Sequence, residues 1–245
     1  MSRHSHALVA ALAAAGCAGA LASAPAQAAT NSGTAPSESV LNGVWTLAVP
    51  KGNLLHDIKG GTPPLNAAGK KVYAEHRAQL AKGDLSYDLS QKCKPMGFPR
   101  VLWDGGPFDI QLQRDATLFG YTWNRNHRIV PNGPKLPLLQ VARYYGTGAA
   151  RWENGSLRIE SGMYNENTLL DAAGLPHSEN LLISERYTPS ADGNKMRVQL
   201  TFTDPTFYTR PWTVVADFRK VPDGRIAEDV CQERSAFYKD LMPAK

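Results

Sequence analysis

Leu181-Leu182-Ile183-Ser184-Glu185-Arg186-Tyr187-Thr188, then Pro189-Ser190-Ala191-Asp192-Gly193-Asn194, then Lys195-Met196-Arg197-Val198-Gln199-Leu200-Thr201-Phe202-Thr203 is two alternating apolar/polar runs around a turn-forming hexapeptide. Period-two alternation on both sides of such a turn is the pattern of an antiparallel hairpin with one buried face. A four-residue loop, Ser190 to Gly193, sets Pro189 against Asn194. It then sets Tyr187 against Met196, Glu185 against Val198, Ile183 against Leu200 and Leu181 against Phe202. A slip of one residue would oppose Glu185 to Arg197, but it would scatter the apolar set over both faces.

The chosen register puts a carboxylate, Glu185, on the inward face. Burying it requires a partner or a proton, and Arg143 and Arg151 are the interior cations expected to supply the pairing. Continuing the same register sets Asp204 opposite Glu179 and diagonal to His177. Long side chains meet across a diagonal, so His177 and Asp204 are expected to form an oriented imidazole–carboxylate pair at the strand end. Two readings of that pair stand: a structural hydrogen bond, or an acid/base pair with Glu185 as a further catalytic candidate.

The rest of the mature chain extends the β pattern. Leu41 to Leu47 reads as a first strand, Phe108 to Gln113 and Ala116 to Trp123 as a hairpin, and His127 to Val130 as a further strand. Asn154-Gly155 lies between alternating runs, the strongest short hairpin signal, and sets Trp152 opposite Leu157 and Ala150 opposite Ile159. One short helix is expected near 67–82, ended by Gly83, with Val72, His76 and Leu80 on one face. His127-Arg128 reads as exposed. The fold class is therefore mainly β, an antiparallel barrel-like or strongly curved sheet with one helix.

Met1 to Ala28 has Arg3, an Ala-rich apolar stretch and Ala26-Gln27-Ala28, the pattern of a cleaved export signal. The expected location is periplasmic or secreted, with no membrane insertion after cleavage; Cys17, after Ala14-Ala15-Gly16, is the alternative site of a lipid anchor. Removing 28 of the 245 residues leaves 217, and with Arg3 gone the formal charge falls from +5 to +4. Residues 29–39 read as a flexible leader and 40–245 as a single β-rich domain. Cys93 and Cys231 are then the two remaining cysteines, and in an oxidising compartment they are expected to form a disulfide.

Several chemistries lack their signatures. There is no Gly-x-Ser-x-Gly, His-Glu-x-x-His, glycine-rich phosphate loop or dinucleotide fingerprint, and no metal-ligand spacing among His56, His76, His127 and His177. No cofactor or metal is expected. Dispersed charge at a sequence pI near 9.1 argues against a nucleic-acid partner. Tyr144, Tyr145 and Trp212, near loops and strand starts, are candidates for lining a ligand pocket.

The order Cys93-x-Pro95-x-Gly97-x-Pro99-Arg100, Arg151-Trp152-Glu153, Pro176-His177-Ser178-Glu179, Glu185-Arg186, Asp204-Pro205-x-x-Tyr208-Thr209-x-Pro211-Trp212 and Cys231-x-Glu233 resembles a family of exported bacterial proteins without an assigned function. Where that family has Trp-Glu-Gly-Asp, this chain has Asn154-Gly155 after Glu153. The resemblance implies that Trp152, Glu153, His177, Glu185, Arg186, Asp204 and Trp212 share a site or a scaffold. Gly43-x-Trp45 is similar to the opening motif of lipocalin-like barrels. The functional expectation is a barrel that binds a small, partly apolar or aromatic molecule in its interior. The alternatives are a cofactor-free lyase, isomerase or hydrolase using His177 and Asp204, and a structural envelope protein.

Overall fold

Nine strands alternate apolar and polar residues tightly enough to curl into one sheet. In the computed structural model, which describes residues 38–49, 55–134 and 141–233, they are β1 (Gly43–Leu47), β2 (Phe108–Leu112), β3 (Ala116–Tyr121), β4 (His127–Pro131), β5 (Thr147–Glu153), β6 (Ser156–Gly162), β7 (Leu182–Pro189), β8 (Lys195–Thr203) and β9 (Trp212–Lys220). Their order is β4-β3-β2-β1-β9-β8-β7-β6-β5, every neighbouring pair antiparallel. The export signal expected over 1–28, with Cys17, lies outside the described residues. Residues 29–37 of the expected leader lie outside them as well, and Glu38–Leu41 forms a 3-10 turn.

An odd number of strands has a geometric cost. Alternating directions cannot return to the start after nine, so β4 and β5 run parallel where the sheet's two ends meet. They touch through one parallel bridge, Asn132 with Ala150, and Gly133 N–H donates to the Ala150 carbonyl at 2.9 Å. The result is a mainly antiparallel, nearly closed barrel, consistent with a lipocalin-like one, with a seam between β4 and β5.

The hairpin of residues 181–203 forms, but two residues out of the expected register. Glu185 faces Leu200, Tyr187 faces Val198 and Ile183 faces Phe202. Ser190 joins the ladder: its N–H donates to the Lys195 carbonyl at 2.8 Å, and its Oγ accepts from Lys195 N–H at 3.0 Å. The loop therefore moves to Ala191–Asn194, with Gly193 at φ 69°. A shift of two keeps parity, so the inward and outward sets survive. The Asn154-Gly155 hairpin keeps its expected register, Trp152 opposite Leu157 and Ala150 opposite Ile159, with both turn residues at positive φ.

The inward side chains include Trp45, Phe108, Phe119, Tyr121, Tyr187, Phe202, Trp212 and Phe218, all essentially inaccessible. Each contributes roughly 1.5–3 kcal/mol of burial. Trp45 donates its indole N–H to the Leu41 carbonyl at 2.9 Å, under the 3-10 turn, and the Lys220 ammonium stands 5.2 Å from its ring. The helix α1 (Ala67–Ala81) starts at Asn66, whose side chain accepts from Gly69 N–H. It packs most closely at Gly69, where a Cβ would stand 2.4 Å from the Phe207 carbonyl oxygen, and its Tyr73 rests against the core. A second short helix, α2 (Val101–Asp104), precedes β2. The Cys93–Cys231 disulfide is present, its Cα atoms 5.5 Å apart.

Candidate functional site

The alternation of His127-Arg128-Ile129-Val130 puts Arg128 in phase with Val130, inside the barrel, while His127 and Ile129 face out. Arg128 is therefore buried rather than exposed as expected, and it is the partner of Glu185, in place of Arg143 or Arg151. Its two terminal nitrogens donate to the two Glu185 oxygens at 3.0 and 2.7 Å. Glu185 also accepts from the Tyr187 hydroxyl at 2.7 Å and from Ser161 Oγ at 2.6 Å, and the Ser161 and Tyr164 hydroxyls are linked at 2.6 Å. The guanidinium lies 4.3 Å from the Phe98 ring centre. A planar cation, a carboxylate and three hydroxyls thus form one polar knot within an aromatic interior.

This knot reaches the seam. Where β4 and β5 splay, a cavity of about 670 Å³ opens, lined by Arg128, Ile129, Arg143, Tyr144, Tyr145 and Thr147 among others. Gly146 makes its wall possible, with φ 65° and no room for a Cβ, which would stand 2.5 Å from the Tyr164 ring. The turn it allows sets Tyr145 beside Tyr121, ring centres 5.3 Å apart. Burial pushes both phenols up from their ordinary pKa, so they stay protonated and can donate. The Tyr145 hydroxyl, Thr147 Oγ1 and Arg128 Nε are buried with no hydrogen-bond partner among the described residues. Ile129 is 57 % exposed at the same seam, an apolar side chain held in water.

Comparison with family models, with curated proteins and with solved structures finds no match.

The expected His177–Asp204 pair does not form. β7 begins only at Leu182, so His177 never enters the ladder. Asp204 is spent on the turn that follows β8, accepting from Ser178 N–H at 2.7 Å, Ser178 Oγ at 2.8 Å and Thr206 N–H at 3.1 Å. His177 Nδ1 lies 3.0 Å from the Ser178 carbonyl, which fixes a proton on that nitrogen, and Nε2 faces Thr168 Oγ1 at 2.8 Å. Thr168 has one proton for two acceptors, Nε2 and the Asn165 carbonyl at 3.0 Å. His177 and Thr168 line a separate cavity of about 310 Å³ against α1. Glu185 is in a different place, within the barrel.

The other candidates scatter. Tyr144 and Tyr145 line the seam. Trp212 is core, stacked on Phe202 at 4.4 Å. Trp152 is half-buried near the end of β5, and Arg186 lies on the outer surface, opposite in parity to Glu185. Arg128 and Thr147 were missed; the period-two phase of Arg128 with Val130 was the available signal for the first.

Desolvation holds the His177 imidazole below its ordinary pKa, against the opposing pull of Ser178 and Asp204. The unfolded chain then binds the proton more readily, so stability rises with pH. The contribution is complete above the unfolded value of roughly 6.5 and falls away as pH drops below it. The melting temperature is expected to fall between pH 7.5 and 5.5, and His177→Gln to flatten that slope. An equal slope in both proteins would dismiss His177 as the source.

Proposed function

We propose that this barrel binds a small, partly apolar or aromatic molecule through the seam cavity, with Tyr144 and Ile129 as apolar wall. Buried polar atoms left without partners at a cavity carry the reading. Leaving such an atom unsatisfied costs about 1–3 kcal/mol, and a ligand carbonyl, ether or phenol oxygen would recover it. Arg128 supplies an oriented donor but little net charge, because Glu185 neutralises it. A neutral or weakly acidic ligand therefore fits better than a strong anion.

A thermal-shift screen of aromatic and terpenoid compounds followed by calorimetry tests this. Ala142 lines the cavity and is exposed, so Ala142→Trp is expected to fill the cavity without disturbing the core. Hits should lose at least tenfold in affinity, equivalent to about 1.4 kcal/mol, at unchanged melting temperature. Hits that bind Ala142→Trp as well as the parent would rule the seam out, and a panel without any hit would rule out this ligand class. We also take the chain to be exported to the periplasm or beyond, on the strength of Ala26-Gln27-Ala28. An amino terminus at Ala29 in protein recovered from the producing cells is the expected result.

A further inference from the structure

The basic residues of β5 to β9 look dispersed along the chain, but the sheet collects them. Arg151 faces Arg158 across β5 and β6, and Arg158 faces Arg186 across β6 and β7, so three guanidinium groups stand in one row on the outer surface. Like charges directly opposite one another destabilise a sheet. Glu153 relieves only part of the row, lying 3.4 Å from Arg151 and 3.3 Å from Arg158. Beyond Arg186 the surface continues through Gln199 to a second basic pair, Lys195 facing Arg219 across β8 and β9.

A groove of about 750 Å³ runs along this surface, lined by Arg186, Lys195, Arg197, Arg219, Thr188 and Ser190 among others. It includes one carboxylate, Asp217, which holds Arg197 in a two-pronged pair at 2.8 and 3.0 Å. No carboxylate among the described residues lies within ion-pair distance of Arg186, Lys195 or Arg219. Arg186 Nε is moreover buried without a hydrogen-bond partner. Three cations line one concave surface, with the Arg197–Asp217 pair between Arg186 and the Lys195–Arg219 row. Guanidinium groups match the geometry of phosphate and sulfate oxygens.

We infer that the outer groove of β7–β8–β9 is a second binding site, for a molecule carrying two or more phosphate groups. It lies on the opposite side of the barrel wall from the Arg128–Glu185 knot and does not depend on the seam reading. One phosphate meets Arg186, while a second meets Lys195 and Arg219. The phosphate groups belong either to a soluble small molecule or to lipid headgroups at a membrane surface.

Calorimetry with tripolyphosphate at low salt and flotation with phosphatidylglycerol vesicles separate these sources. Arg219→Gln, at an exposed position, and Arg186→Gln are each expected to weaken binding about tenfold, and raising the salt to weaken it further. Arg114→Gln, far along the chain and exposed beside Asp115, should leave affinity unchanged. Tripolyphosphate binding lost in the groove variants assigns a soluble ligand, and vesicle binding lost in the same variants assigns headgroups. Binding to neither probe overturns the proposal. So does an Arg114→Gln loss equal to that of Arg219→Gln, which would make the attraction a property of net charge. Melting curves of Arg186→Gln guard against a folding defect, and Arg219→Gln carries the test should that variant unfold.

Discussion

Arg128→Ala is expected to lower the unfolding free energy by about 3–5 kcal/mol, the cost of leaving one charge of a buried pair uncompensated. For a domain of this size that is a fall of about 6–20 °C in melting temperature. The figure rests on completeness. Both Glu185 oxygens accept from Arg128, and each takes a second hydroxyl donor as well. Removing the guanidinium leaves Tyr187 and Ser161 pointing at an anion with no counter-charge, on a carboxylate with no exposed surface. The double variant Arg128→Met with Glu185→Leu removes both charges and should be less destabilised than Arg128→Ala alone. Denaturant titrations of the parent, Arg128→Met, Glu185→Leu and the double close the cycle. A single variant within 1 kcal/mol of the parent, on the order of an exposed pair, would show that water already reaches this knot.

Why Glu185 was legible and Arg128 was not is a matter of range. The inward phase of Glu185 follows from period two within one hairpin, and it survived a register error of two residues because parity did. Its partner lies 57 residues earlier, on a strand that β7 approaches only because nine strands curl until the ends nearly touch. No local pattern encodes that distance. The same asymmetry explains His177. Its strand was extended five residues too far, since nothing in Pro176-His177-Ser178-Glu179 announces that Asp204 would cap the turn instead. The outer arginine row was half legible: Asn154-Gly155 fixes Arg151 against Arg158, but the third arginine joins through a strand pairing across a long connection. The strand register, not the order along the chain, concentrates that charge.

Replacing Cys93 and Cys231 by serine has the second large effect. The bridge closes a sequence separation of 138 residues, and loop entropy alone sets its contribution near 5 kcal/mol, with about 2–4 kcal/mol typical once strain and residual structure intervene. In the native state the bridge holds little of the barrel directly. It ties the segment after β9 to the loop between α1 and α2, and both lie against the turn between β3 and β4, where Asn124 N–H donates to Asp229 at 2.7 Å, Asn124 Nδ2 to the Cys93 carbonyl at 3.3 Å, and Arg125 meets Glu228 at 2.7 Å. Those contacts are exposed or half-exposed and are worth little without the bridge. The double-serine variant should therefore keep the barrel, with the same near-ultraviolet dichroism from its buried tryptophans, while the segment 221–233 becomes cleavable by protease. Its denaturation midpoint should drop, and its m value should rise, because the unfolded chain freed of the crosslink exposes more surface. A lower midpoint with an unchanged m value would place the stabilisation in the native contacts around Asn124 rather than in the unfolded chain.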